Sequence, residues 1–133
     1  MRYQKHPCFV LPTLTLCVAL SGCAPAVPVQ DAQLATLAAS QRAAVRIVQQ
    51  DVTIRLASGY ERKIAAQSRW RVVGNLPQGQ VLKPIGTVFT IEGRQVHEAY
   101  LVVADNNLVG FYLPGESHFS PLEKPISIML GDL

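Results

Sequence analysis

From about Val45 onward, apolar and polar residues alternate along the chain with a period of two. Val52 and Ile54, for example, alternate with Thr53 and Arg55. This alternation is typical of strands that bury one face. Similar runs, separated by Gly, Pro, Asn and Asp turn signals, predict further strands at 69–73, 87–91, 97–103, 108–113 and 126–130.

Short strands punctuated this often favour a small antiparallel architecture. We therefore expect residues 45–133 to form a mainly β domain, either an SH3-like barrel or a sandwich. The clearest hairpin joins the strands at 97–103 and 108–113 across Ala104-Asp105-Asn106-Asn107.

The segment before this domain has a different pattern. Residues 31–44 are mostly good helix formers, and Leu34, Leu37 and Ala38 follow a helical spacing. Asp31 can cap the first turn of a helix. The sequence therefore predicts a short N-terminal helix over residues 31–44.

The first 22 residues have the features of a removed targeting segment. Arg2 and Lys5 make a short positive region, and the 13 residues Cys8–Leu20 are apolar apart from threonines and Pro12. This stretch is too short to span a bilayer but suits the hydrophobic region of a signal peptide.

Leu20-Ser21-Gly22-Cys23 follows this apolar stretch and resembles the lipobox of bacterial lipoproteins. The resemblance implies cleavage after residue 22 and acylation of Cys23. An aspartate after the lipidated cysteine usually signals retention in the inner membrane of such proteins, and this chain has Ala24. We therefore expect an anchor in the periplasmic leaflet of the outer membrane, as in small envelope lipoproteins.

Residues 23–30 form the predicted tether, because Pro25 and Pro28 favour an extended polyproline conformation. Cys8 and Cys17 would leave with the signal peptide, and the Cys23 sulfur would carry lipid. The rest of the chain contains no cysteine. This excludes disulfides, thiolate metal sites and cysteine nucleophiles from the predicted domain.

Candidate catalytic groups are sparse. His97-Glu98 and His118 are the only imidazole and carboxylate grouping, and the metalloprotease pattern fails because position 101 is leucine. Adjacent strand residues face opposite ways, so His97 and Glu98 are not expected to act together. The segment around Ser117 lacks the second glycine of a nucleophile elbow. The sequence predicts no enzyme activity, no cofactor and no metal site.

Charge is distributed unevenly. Residues 42–71 contain seven basic and two acidic side chains, whereas the rest of the predicted mature chain has three basic and seven acidic ones. This asymmetry has two interpretations. The basic half is either neutralised by the acidic half within the fold, or it binds an anionic partner such as an envelope polymer, lipid headgroups or an acidic protein.

Arg69 and Arg71 are the strongest candidates for that binding, because residues two apart on a strand leave the same face. Arg55, on another predicted strand, is the candidate extension of their surface. Tyr100 and Tyr112 are expected on paired strands, either at the edge of the core or as an exposed patch.

These features together predict a non-enzymatic outer-membrane lipoprotein that acts as an envelope accessory or assembly factor. Its partners would be the membrane, through the anchor, and an envelope protein or anionic cell-wall component. Nucleic acid is not expected in this compartment. The alternative is a periplasmic module that binds or inhibits a ligand, a glycan or an enzyme, and a hydrolase using His97 and His118 ranks third.

Overall fold

The computed structural model describes Cys23, residues 25–42 and residues 44–133. These residues form thirteen strands: β1 Gln30–Asp31, β2 Ala35–Thr36, β3 Val45–Val48, β4 Val52–Arg55, β5 Glu61–Ile64, β6 Arg69–Leu76, β7 Gly79–Pro84, β8 Thr90–Glu92, β9 Val96–Glu98, β10 Tyr100–Ala104, β11 Asn107–Leu113, β12 His118–Ser127 and β13 Leu130–Asp132. The prediction of a mainly antiparallel β domain is confirmed.

One main sheet contains nine of these strands, all paired antiparallel. Its order is β1-β12-β11-β10-β7-β6-β3-β13, and β2 bonds to β6 beside β3. The predicted hairpin at its centre is β10 and β11, turned by Asp105 and Asn106 with positive φ angles of 49° and 60°. Two smaller sheets are the hairpins β4-β5 and β8-β9.

The strands do not close into a barrel, so the barrel prediction is wrong. The hydrogen-bonded path of the main sheet has two ends, and the two small hairpins pair only within themselves. The hairpins instead cover one face of the main sheet. Ile54, Ile64 and Ile91 from the hairpins are at most 1% exposed. They pack with Leu101 and Phe111 of the sheet in one cluster, which we call the larger core.

The opposite face of the main sheet has its own smaller core. Val81, Val102, Tyr112 and Phe119 are buried there, and the N-terminal segment covers them with Ala32. The main sheet is therefore buried on both faces, which agrees with the near-continuous apolar runs in β10 and β11.

The predicted helix over residues 31–44 is wrong, because the described part of this segment contains no helix. Strand β1 pairs with β12 and β2 pairs with β6. Ala32 donates its backbone N–H to the carbonyl of Ser117 at 3.0 Å. These long-range pairs satisfy the backbone groups that helical hydrogen bonds would otherwise use.

Leu34 shows why the extended path is favoured. A Cβ placed at Gly74 of β6 would lie 2.6 Å from Leu34 Cδ1 and 2.8 Å from the carbonyl oxygen of Ala35. Glycine therefore opens the space in which the N-terminal segment rests on the sheet.

We expect Gly74→Ala to lower the free energy of unfolding by about 1–3 kcal/mol, the usual cost of overpacking a close contact. Urea denaturation measures this loss. Gly115→Ala is the matched control, since a Cβ there has no neighbour within 4 Å. Equal stability of the two variants would contradict the close contact.

Candidate functional site

Strand β6 holds Arg69 and Arg71 on one face of the main sheet. Both side chains are exposed, whereas Trp70 and Val72 between and beside them are each 2% exposed. Trp70 is fixed twice: its indole N–H donates to Ser68 Oγ at 2.9 Å, and its ring meets the Phe89 ring edge-to-face at 5.5 Å. The two guanidinium groups therefore project from a rigid strand, as the sequence predicted.

Lys83 and Tyr100 complete this surface. Lys83 on β7 lies directly across from Arg71, so both side chains leave the same face. The Lys83 ammonium lies 5.7 Å from the centre of the half-buried Tyr100 ring. We call the surface formed by Arg69, Arg71, Lys83 and Tyr100 the arginine face.

Tyr112 stands directly across from Tyr100, with 6.2 Å between ring centres. Tyr112 is only 7% exposed and belongs to the smaller core. These tyrosines were expected either at the edge of the core or in an exposed patch. Tyr112 belongs to the core, and Tyr100 lies between that core and the arginine face.

Within the described residues, no carboxylate forms an ion pair with the three cations of the arginine face. Three other basic residues are paired: Arg46 with Asp132 at 3.1 Å, Arg55 with Glu61 at 3.1 Å and Lys63 with Asp51 at 2.6 Å. Arg42 instead donates to the Leu37 carbonyl, and Arg62 lies over the Phe89 ring. Internal neutralisation thus accounts for part of the basic half and leaves the arginine face unneutralised.

The structure does not bring Arg55 to this surface. Val52 and Ile54 of β4 enter the larger core, so Arg55 points outward from the hairpin that covers the other face of the main sheet. It borders a cavity of about 300 Å³ together with Leu122 and Glu123. Arg55 and the arginine face therefore lie on opposite sides of the larger core.

The two histidines lie at one opening, but each lies beside a different carboxylate. His97 Nδ1 is 2.8 Å from Glu116 Oε1, and His118 Nε2 is 3.2 Å from Asp31 Oδ1. Both rings border a cavity of about 330 Å³ that Arg94 also lines. Neither ring hydrogen-bonds to a serine or threonine hydroxyl in the described part of the chain. Glu98, the sequence neighbour of His97, stays exposed.

Residues 23, 25–42 and 44–133 contain no group of three or more His, Cys, Asp or Glu side chains arranged to hold a metal ion. In the same residues no helix has the length and apolar character needed to span a bilayer.

Cys23, the predicted lipidation site, is exposed. The predicted signal peptide, residues 1–22, and Ala24 lie outside the described residues. The tether that follows is not free along its whole length, because Val27 is buried in the larger core. The sequence gives no sign of this contact, since Val27 lies in the short Pro25-Ala26-Val27-Pro28 stretch and belongs to no periodic pattern.

Comparison with protein-family models, curated proteins and solved structures finds no significant match to this chain.

Asp51 provides a pH test of the ion pairs in the basic half. Its carboxylate accepts a hydrogen bond from the backbone N–H of Ala66 at 2.8 Å, and Lys63 lies beside its other oxygen. The backbone hydrogen bond, and after it Lys63, hold the pKa of Asp51 below its ordinary value. A carboxyl group whose pKa is lower in the folded than in the unfolded chain stabilises the fold at pH values above its unfolded pKa. This stabilisation is lost as the pH falls through the folded pKa.

Asp51→Asn should therefore be less stable than the wild type at neutral pH, and the difference should shrink below pH of about 4. Thermal unfolding across a pH series measures it. Glu123→Gln, which removes an exposed carboxylate with no hydrogen-bond partner in the described structure, is the control. A difference that is unchanged in acid would contradict this account of Asp51.

Proposed function

We propose that this protein is a non-enzymatic lipoprotein of the outer membrane that acts as an envelope accessory or assembly factor. Cys23 carries the lipid anchor in the periplasmic leaflet, and the β domain presents the arginine face to an anionic partner. The observation that carries this proposal is the cluster of Arg69, Arg71 and Lys83 without counter-charge on a rigid sheet.

The chemistry of the arginine face supports a binding role. Guanidinium groups match carboxylate and phosphate groups with two parallel hydrogen bonds, and arginine and tyrosine are enriched at protein interfaces. Three like charges held close together repel one another, so a partner with opposite charge gains from neutralising them.

A second candidate function is a periplasmic module that captures a small ligand, a glycan or an enzyme. The cavity of about 330 Å³ beside His97 and His118 favours it, because its size is within the range of small-molecule sites. Cross-linking in intact envelopes distinguishes the two functions: a stoichiometric envelope assembly supports the accessory role, and a soluble enzyme supports the inhibitory one.

The anchor is tested by Cys23→Ser. This change removes the thiol that lipid transfer requires, so we expect the variant to lose membrane anchoring. Fractionation of bacterial cells, with mass spectrometry of the N-terminal peptide, measures both location and acylation. Ser21→Ala, which keeps a small residue before Cys23, is the control and should remain anchored. A Cys23→Ser protein that sediments with membrane as firmly as the wild type would contradict the anchor.

The arginine face is tested by replacing Arg69 and Arg71 with serine. Because both side chains are exposed, we expect stability to change by no more than about 0.5 kcal/mol. Binding of the detergent-solubilised full chain to purified envelope fractions should be lost, whereas wild-type binding should weaken progressively with salt.

Arg55→Ser combined with Lys124→Ser is the matched control, since it removes the same charge from a region outside the arginine face. We expect it to bind like the wild type. Equal sedimentation of all three proteins at every salt concentration would mean that Arg69 and Arg71 only solvate the domain.

A further inference from the structure

Val27 attaches the N-terminal segment to the domain soon after the predicted lipidation site. Its side chain is 8% exposed and packs with the larger core. The contact depends on Gly93 in the turn between β8 and β9, where a Cβ would lie 2.7 Å from Val27 Cγ2 and 3.0 Å from the Val27 nitrogen. The absence of a side chain at position 93 is what gives Val27 its place.

This contact shortens the anchor. Val27 follows Cys23 by four residues, which span at most about 14 Å when fully extended. A tether free as far as Gln30 would have seven residues and a reach of about 22 Å as polyproline. A compact domain of roughly 100 residues has a radius of gyration of about 13 Å and is therefore about 30 Å across.

Val27 and the arginine face lie against opposite faces of the main sheet. Val27 packs in the core that includes Trp70 and Val72, and Arg69 and Arg71 point away from that core. An anchor of about 14 Å is shorter than the thickness of the domain. It therefore cannot let the domain turn over and lay the arginine face on the membrane.

We propose that the contact between Val27 and Gly93 holds the β8-β9 turn against the bilayer that anchors Cys23, and directs the arginine face away from the lipid. This inference rests on the lipidation of Cys23 proposed above. It also excludes one class of partner for the arginine face, because the anionic headgroups of the anchoring leaflet lie beyond its reach.

The surface around this contact is suited to a domain whose position on the bilayer is set by the anchor and not by charge. Val29 is 45% exposed and Val96 is 62% exposed. Arg94, two residues before Val96, is also exposed and lines the same opening as Val29. The other charged groups of this side are acidic: Glu92 at the end of β8, and Glu116 and Asp31, each beside a histidine. Such a surface gains nothing from anionic lipid, so its position should not depend on lipid charge.

The test measures distance to the lipid directly. The full chain, processed and acylated in bacterial cells, is placed in bilayer nanodiscs that carry a gadolinium chelate on a fraction of the headgroups. Signals of backbone amides close to the headgroups broaden. We expect the amides of Val29 and residues 93–96 to broaden strongly and those of β6 and β7 to stay sharp, both in phosphatidylcholine and after addition of phosphatidylglycerol.

Two variants with changed anchors provide the matched controls. An eight-residue Gly-Ser insertion between Pro25 and Ala26 lengthens the anchor to about 43 Å when fully extended, which exceeds the thickness of the domain, and leaves Val27 unchanged. Gly93→Ala displaces Val27 itself, but the anchor is then free only as far as Gln30, which pairs with Phe119. Both should weaken the broadening at residues 93–96, and in phosphatidylglycerol the insertion variant alone should gain broadening in β6 and β7 as the arginine face reaches the lipid.

Strong broadening of β6 and β7 in the wild-type protein, or equal spectra for the wild-type and insertion proteins, would overturn the inference. Mass spectrometry of the same samples separates this result from a failure of the proposed function: a chain without acyl groups on Cys23 contradicts the anchor, whereas an acylated chain with the wrong broadening contradicts only the orientation.

Discussion

Burial of the main sheet on both faces is the constraint on which the rest of this structure depends. The larger core needs the two hairpins as a cover, and the smaller core needs the N-terminal segment. Arg69 and Arg71 lie where neither cover extends, on a strand whose opposite face is fixed by Trp70 and Val72. The same packing that stabilises the domain thus determines which part of the sheet can meet a partner.

The alternation of apolar and polar residues was sufficient to predict strands that bury one face and the hairpin turn between two of them. Strand β4, strand β6 and the β10-β11 hairpin all lie where period two and turn residues indicated them, and the outward direction of Arg69 and Arg71 followed from that period. Burial on one face leaves a periodic signal in sequence, and turns with positive φ select residues such as Asp105 and Asn106.

Features that depend on distant pairing could not be predicted in this way. The spacing of Leu34 and Leu37 fits a helix, but the structure places Leu34 on Gly74, some forty residues later. Lys83 was missed as a member of the arginine face because its pairing with Arg71 depends on strand register, which a bulge shifts between Val72 and Gly74. The place of Arg55 depends on β4 pairing only with β5 in the described structure, and no local pattern carries that information.

The contact between Val27 and Gly93 would connect the proposed lipid anchor with the arginine face. A long tether would let a basic domain settle on the nearest anionic surface, which for a lipoprotein is its own leaflet. A short anchor at Cys23, as proposed above, would remove that competing interaction, because the domain could not turn far enough to make it. The charge of Arg69, Arg71 and Lys83 would then remain available to a partner in the aqueous space, and an anionic partner would relieve part of their mutual repulsion.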